Sequence, residues 1–339
     1  EEQGTPALSS YADPIERRLT TDALATVFPR PFGSSDLLTA DFDAVELTIG
    51  LHLNSMESLY RTGLPTWFNL LNLGLTVTAT ANSDSHKPMY EVLGMPRNYV
   101  ASSVDPLDGQ GVYEDIDLEE YAYNINQGKL VISAGPFIQV KAFDTNKNVF
   151  SLGETVEGNE VTLEIKVDAP SWAWFDTIEI YANTEPVPID DETGTPMEGS
   201  ASDPAKFYQP YHVPIYTYQP QKTFRLIDGS LKEWENKDGK ISAKVNTTMR
   251  FKEDSWIVVM ARGTRETEGY QSLFPLVSNV IKDEKKAVEL DPQDMSEFHK
   301  DRNVGAPAWG LANPIYVDVE GNGFESMYVH DGRSPLKSY

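Results

Sequence analysis

The sequence predicts a β/α region followed by an antiparallel β-sandwich, and three observations lead to this fold class. First, apolar strands alternate with helical segments between Phe42 and Gly135. Second, after Gly135 the pattern changes to short runs of alternating apolar and polar residues, separated by turns. Third, a chain of 339 residues with 40% apolar content is long enough for two ordinary domains, each with its own core. We therefore expect an α/β part and an all-β part.

The predicted elements divide the chain into four segments. An N-terminal extension rich in Pro, Thr, Ser and Gly precedes the β/α domain, and a C-terminal extension follows the sandwich; the segments are 1–40, 41–135, 136–290 and 291–339. Within the β/α domain we expect strands at 44–48, 75–79 and 131–132, and helices within 55–73 and 115–127. The sandwich strands are predicted at 137–142, 161–167, 177–182, 241–245 and 255–261. Five such strands favour a sandwich of immunoglobulin-like kind.

Composition excludes several classes of partner. The chain has 52 acidic and 28 basic residues and a net charge of −24, so its surface repels nucleic acid and anionic membranes. It has no cysteine, which rules out disulfides and thiolate metal sites. No apolar run is long enough to span a bilayer. The first residues, Glu1 to Gln3, are compatible with the end left after removal of a signal peptide, and we expect a periplasmic or extracellular protein.

The candidate functional residues surround the turn from Asn82 to His86. Asp84 and His86 are two residues apart at a strand end, so both side chains can project to the same side. A carboxylate and an imidazole together suit zinc, manganese or iron. Glu46, inside a predicted strand, needs a partner or a metal. Arg97 is a cation close in sequence to the turn, able to bind a phosphate, a carboxylate or an oxyanion.

Each of these residues also has an ordinary structural interpretation. Asp84 and His86 could cap the turn or be solvated, as strand-end residues of these types commonly are. Glu46 could form an ion pair or lie at an exposed strand end, and Arg97 could pair with a local acid.

Several ordered stretches resemble one family. Residues 42–46, 67–74, 83–86 and 94–100 resemble the C-terminal half of a PHP (polymerase and histidinol phosphatase) metallohydrolase domain, of the carbaryl-hydrolase-like branch. The resemblance continues through 132–137, 254–259 and 313–318, and so covers roughly residues 40 to 325. It implies a distorted β/α barrel, present here in part, that holds two or three divalent ions and hydrolyses a phosphoester, ester or carbamate of a small-molecule substrate. Asp84 and His86 would be metal ligands, Glu46 a third contact, and Arg97 a substrate anchor.

The chain departs from the family pattern in its N-terminal part. Members begin their metal site with a His-x-His motif, which this sequence lacks; its first histidine is His52. Phe28 stands where a histidine is expected. The resemblance therefore implies that a second chain carries the other half of the barrel, or that this chain is a processed fragment, the C-terminal portion of a longer protein; the possible partners are that second chain or another copy in a homo-oligomer. The alternative is a catalytically inactive, secreted binding or structural protein built on a degenerate PHP domain and a β-sandwich.

A second ion site is suggested near the C-terminus. Asp318, Glu320 and Asn322 supply oxygen side chains at alternate positions, with Gly323 sixth, as at the start of a calcium-binding loop. The twelfth position is Val329, which replaces the bidentate glutamate of such loops. An acidic β-turn without an ion accounts for the same residues.

Overall fold

The computed structural model describes residues 12–13, 18–19, 42–50, 59, 63–72, 74–85, 93–103, 117–184, 187–189, 215–217, 220–264, 267 and 307–325. Within them, two α-helices are α1 (Leu64–Asn72) and α2 (Leu118–Asn126). The strands up to the middle of the chain are β1 (Ala12–Asp13), β2 (Arg18–Leu19), β3 (Ala44–Ile49), β4 (Thr78–Asn82), β5 (Arg97–Val100), β6 (Leu130–Ala134), β7 (Phe137–Phe143), β8 (Val149–Phe150), β9 (Thr155–Glu157) and β10 (Glu160–Pro170). The later strands are β11 (Thr177–Ala182), β12 (Val187–Ile189), β13 (Ile215–Thr217), β14 (Lys222–Arg225), β15 (Glu233–Lys237), β16 (Lys240–Arg250), β17 (Ser255–Arg262), β18 (Trp309–Ala312) and β19 (Ile315–Asp318).

Two antiparallel sheets hold most of these strands. The smaller has the order β15-β16-β10-β7-β8, and the larger has the order β14-β11-β17-β18-β6-β5. Strand β19 also pairs with β17, and it pairs in parallel with β9. The remaining pairs are β1 with β2, β12 with β13, and the parallel pair β3 with β4. The chain crosses from the larger sheet to the smaller at Gly135, whose φ of 121° is open to glycine and strained for other residues.

The smaller sheet buries one face. Strand β10 pairs with β16 without interruption from Glu160 opposite Arg250 to Pro170 opposite Lys240. Alternate residues of β10 are fully buried, including Leu163 and Ile165, while those between them face outward. This period-2 pattern is the signal from which the sequence predicted the strand.

The central strands of the larger sheet are buried on both faces, whereas its edge strands β14 and β5 are partly exposed. All six residues of β11 are buried. One face packs toward the smaller sheet, and the side chains of both sheets belong to one continuous core cluster. On the other face lies helix α1, where Phe68 contacts Trp256 and Tyr181 at centroid distances of 4.7 and 5.3 Å. The indole of Trp256 donates a 2.8 Å hydrogen bond to Asn72 at the end of α1. Helix α1 is thereby fixed to the larger sheet.

The fold class predicted from the sequence is wrong. About half of the described residues lie in strands and about a tenth in helices, the sheets are open, and those residues form no barrel. Among the elements that the structure describes, β3, α1 and β4 alone retain the parallel strand-helix-strand arrangement. Strands β5 and β6, which the sequence assigned to a barrel, pair antiparallel and join the larger sheet through β18. All of β6 is buried, and a fully apolar strand does not reveal whether its partners are parallel or antiparallel.

The predicted division of the chain into domains stays a prediction. None of the helices in the described part is long and apolar enough to cross a membrane.

Asparagine side chains join strand β4 to the larger sheet. Asn313 accepts a hydrogen bond from the N–H of Ala79 at 2.7 Å and donates to the carbonyl of Ala79 at 3.0 Å. It also donates to the carbonyl of Leu130 on β6 at 3.2 Å. Asn98 accepts from the N–H of Ala81 at 3.1 Å. Two amide side chains therefore occupy positions that a neighbouring backbone would take in a continuous sheet.

An ion-pair cluster on the smaller sheet makes stability depend on pH. Asp168 contacts Lys166 at 2.8 Å, Lys240 at 2.9 Å and the hydroxyl of Ser242 at 2.7 Å. Partial burial of the carboxyl opposes ionisation, but these partners outweigh it and hold the pKa of Asp168 below its ordinary value. A lowered pKa in the folded state stabilises the fold above the unfolded pKa, and this stabilisation is lost as the pH falls through the folded value.

We expect Asp168→Asn to destabilise the protein by about 1 kcal/mol or less at pH 7, because the cluster is partly solvated. The difference from the unchanged protein should shrink below about pH 4, where the carboxyl becomes protonated. Urea denaturation at pH 7 and pH 3 measures both values, and Glu164→Gln on the exposed side of the same strand is the control. A difference that is the same at both pH values would contradict the prediction.

Candidate functional site

The candidate site lies at one edge of the parallel pair formed by β3 and β4. Both strands run in the same direction, so their carboxyl ends meet at this edge, which is where open sheets of parallel strands bind ligands. Asn82 is the last residue of β4, and the turn that contains Asp84 follows it directly. Strand β5, which begins at Arg97, lies on the other side of β4 and contributes side chains to the candidate site.

Glu46 presents a carboxylate to solvent from a strand that is otherwise anchored in the core. Its neighbours Val45 and Leu47 are buried, whereas Glu46 is exposed. The register of β3 against β4 shifts between Glu46 and Thr48, as in a bulge, and bulges commonly redirect a side chain near a functional site. The amide of Asn82 donates a hydrogen bond of 2.5 Å to Oε1 of Glu46. The described partner of this carboxylate is thus an amide, and not the cation of an ion pair.

The row of polar side chains continues into β5. Asn98 donates from Nδ2 to Oδ1 of Asn82 at 2.9 Å. The sequence analysis did not single out Asn82 or Asn98 as functional residues. Their residue type could have drawn attention, because asparagine is depleted in strands. Asn82 is nevertheless the last residue of β4, and Asn98 is the second residue of β5.

The turn after β4 is unusual in its backbone. Asp84 is exposed and has a φ of 46°, in the left-handed region that aspartate tolerates better than most residues. His86 lies outside the described residues. The structure therefore places Asp84 at the carboxyl edge of the parallel pair, while the geometry of the Asp84 and His86 pair stays a prediction.

Arg97 is exposed at the start of β5, next to Asn98. Its Nε donates a 2.5 Å hydrogen bond to the carbonyl of Gly94. Within the described part of the chain, the backbone of the preceding turn holds this side chain, and the pairing of Arg97 with a local acid stays an alternative. This hydrogen bond uses Nε and leaves the two terminal nitrogens as donors for an anion.

The described residues place two exposed carboxylates near the end of β4. Glu46 lies in the middle of β3, where the amide of Asn82 reaches it, and Asp84 lies in the turn that follows β4. Carboxylate oxygens suit divalent ions such as manganese and zinc, and carboxylates that bind metals are commonly hydrogen-bonded by neighbouring side chains. No group of three His, Cys, Asp or Glu side chains suited to a metal occurs within the part of the chain that the structure describes. Carboxylates are compatible with a divalent ion, and a metal site that includes Glu46 and Asp84 stays a prediction.

The predicted calcium loop forms a compact turn. The buried carboxylate of Asp318 accepts hydrogen bonds from the N–H groups of Gly321, Asn322 and Gly323, at 2.7, 3.2 and 2.6 Å. Glu320 and Asn322 are exposed. These hydrogen bonds are those of an acidic turn, which was the alternative interpretation. Calcium binding by Asp318, Glu320 and Asn322 stays a prediction.

Two further carboxylates, which the sequence analysis missed, are buried in the larger sheet. Asp176 accepts hydrogen bonds from Trp174 at 3.2 Å, from Thr177 at 3.0 Å and from the N–H of Thr264 at 2.9 Å, and also from the hydroxyl of Thr267. Glu179 is paired with Arg262. Both carboxylates are surrounded by donors of their own sheet and its flanking loop, and we assign them structural roles.

Comparison with known proteins does not assign the chain to a family. No family model matches the chain, and no curated protein matches it. The similarity to PHP metallohydrolases is therefore an inference from the ordered motifs alone.

Proposed function

We propose that this chain carries part of the divalent-metal site of a hydrolase that acts on a phosphoester, ester or carbamate. The observation that carries the proposal is the exposed carboxylate of Glu46, which accepts a hydrogen bond from Asn82, the last residue of β4 before the turn of Asp84. The stretches that contain these residues are also among those that carry the sequence resemblance.

Each residue of the site has a definite part in this proposal. Glu46, Asp84 and His86 would hold the ion, and Asn82 keeps the carboxylate of Glu46 in place. A divalent ion bound there lowers the pKa of a water molecule and polarises the scissile group. The terminal nitrogens of Arg97 would bind an anionic oxygen of the substrate, because a guanidinium matches phosphate and carboxylate geometry.

Metal titration of the unchanged chain and of two variants tests the proposal. We expect weak but measurable binding of Mn²⁺ by calorimetry, since three ligands are fewer than the full set that the resemblance implies. Removal of a ligating carboxylate by Asp84→Asn or Glu46→Gln should weaken Mn²⁺ binding by about 10-fold to 100-fold or more. Loss of a residue that only supports a metal ligand typically costs about 10-fold to 100-fold.

Glu235→Gln is the matched control, because this exposed carboxylate lies on β15 at the far edge of the smaller sheet. Its Mn²⁺ affinity should equal that of the unchanged chain. Equal affinity in all three variants would mean that any bound metal lies elsewhere. The proposal would then give way to the non-catalytic binding protein considered in the sequence analysis.

A further inference from the structure

A directed chain of hydrogen bonds crosses three strands and ends on Glu46. Asn98 on β5 donates to Asn82 on β4 at 2.9 Å, and Asn82 donates to Glu46 on β3 at 2.5 Å. Every bond in the chain has its donor on the β5 side and its acceptor on the β3 side. Glu46 is a ligand in the proposed metal site, whereas Asn98 has no role in it.

Groups at both ends fix the direction of this chain. The backbone N–H of Ala81 can only donate, so Asn98 must turn Oδ1 toward it, as the 3.1 Å contact shows. The amide nitrogen of Asn98 is then left to donate to Oδ1 of Asn82. Asn82 then has its amide nitrogen to offer to Glu46, whose Oε1 accepts the hydrogen bond. A main-chain group of β4 therefore determines how a carboxylate on β3 is held.

We infer that Asn98 and Asn82 are positioning residues that orient Glu46 for a divalent cation, an inference that rests on the proposed function. The backbone of Asn82 is itself anchored, because its carbonyl accepts from the N–H of Gly50 at 2.8 Å. Asn82 holds Oε1 of Glu46, which leaves Oε2 for a ligand. Donors in series also polarise one another, so the loss of Asn98 weakens the bond that Asn82 makes.

The variant Asn98→Asp separates this relay from the structural role of Asn98. A carboxylate at position 98 still accepts from the N–H of Ala81, so the join between β4 and β5 is kept. It cannot donate to Asn82, whose amide then turns its nitrogen toward position 98 and its oxygen toward Glu46. Glu46 loses its donor and faces an acceptor instead.

We expect Asn98→Asp to lower the Mn²⁺ affinity by about 10-fold, with the melting temperature close to that of the unchanged chain. The sign of the change is diagnostic, because an added negative charge near a cation site would by itself raise the affinity. Asn236→Asp on β15 introduces the same charge far from the site and should leave the affinity unchanged. Asn82→Ala removes the last donor and should weaken binding by about 10-fold to 100-fold.

An NMR measurement without metal tests the chain itself. The side-chain amide resonances of Asn82 should shift strongly in Asn98→Asp and in Glu46→Gln, relative to the unchanged protein. Unshifted resonances would overturn the relay. The relay would also be overturned if Asn98→Asp left the Mn²⁺ affinity equal or raised it while Glu46→Gln still weakened it. That outcome would leave the proposed function standing. If Glu46→Gln has no effect on Mn²⁺ binding, the proposed function fails, and the relay has no cation site to serve.

Discussion

Replacement of Asn313 by alanine is expected to destabilise the protein by about 3–5 kcal/mol, since each buried polar group left without a partner costs about 1–3 kcal/mol. Asn313 is buried and its amide makes three hydrogen bonds, two with the backbone of Ala79 and one with the carbonyl of Leu130. Alanine would leave the N–H and carbonyl of Ala79 without these partners in the interior. The effect should be concentrated where β4 meets the larger sheet.

Two measurements check this prediction. Urea denaturation gives the change in the free energy of unfolding, with Asn236→Ala on the exposed strand β15 as the control expected within about 0.5 kcal/mol of the unchanged protein. Hydrogen exchange should show lost protection at the amide of Ala79, while the amides of β10 and β16 keep theirs in conditions where only local opening occurs. A change below about 1 kcal/mol would show that the join between β4 and β6 does not depend on this amide.

Local patterns explain what the sequence predicted well. The alternating runs that became β7, β10, β11, β16 and β17 carry their own signal, because the period of two is set by the pleat of a single strand. Helix α2 lies within the range predicted for it, capped by Asp117, whose carboxylate accepts from the N–H groups of Glu119 and Glu120. Capping and periodicity both involve residues that are close in sequence.

Long-range pairing explains what the sequence did not predict. Ser133 on β6 lies opposite Gly310 on β18, a partner far along the chain, and nothing near Ser133 indicates it. The alternation of strands and helices before Gly135 predicted a β/α region, and the family resemblance implied a barrel, whereas the pairing with β18 makes β6 part of the larger sheet.

The same limit applies to the candidate site. Glu46 and Asp84 could be named as candidates because ligand-type residues within a predicted strand and in a polar turn after one are visible in the sequence. The use of Asn98 could not be predicted, because it depends on which groups of β4 lie opposite it. The amide acquires its direction only from the N–H of Ala81 and the carboxylate at the other end of the row.

The ion pair between Glu179 and Arg262 lies in the larger sheet. Breaking it should cost more stability than breaking an exposed ion pair, because its carboxylate is buried. The carboxylate of Glu179 is 5% exposed and accepts from Arg262 at 2.7 and 3.0 Å, and from the hydroxyl of Tyr181 at 3.0 Å. Arg262→Leu removes two charged donors from a buried carboxylate. We expect a loss of about 3–5 kcal/mol in the free energy of unfolding.

The double variant Glu179→Leu, Arg262→Leu distinguishes this cause from lost packing. It removes the buried charge together with its partner, so it should be less destabilised than Arg262→Leu alone, and a double-mutant cycle gives the coupling energy. Arg250→Leu is the control: Arg250 is 82% exposed and pairs with Glu160 at 2.6 Å, and its loss should cost no more than about 1 kcal/mol. If the double variant were no more stable than Arg262→Leu, the cost would lie in the packing of the arginine stem, and not in the stranded carboxylate.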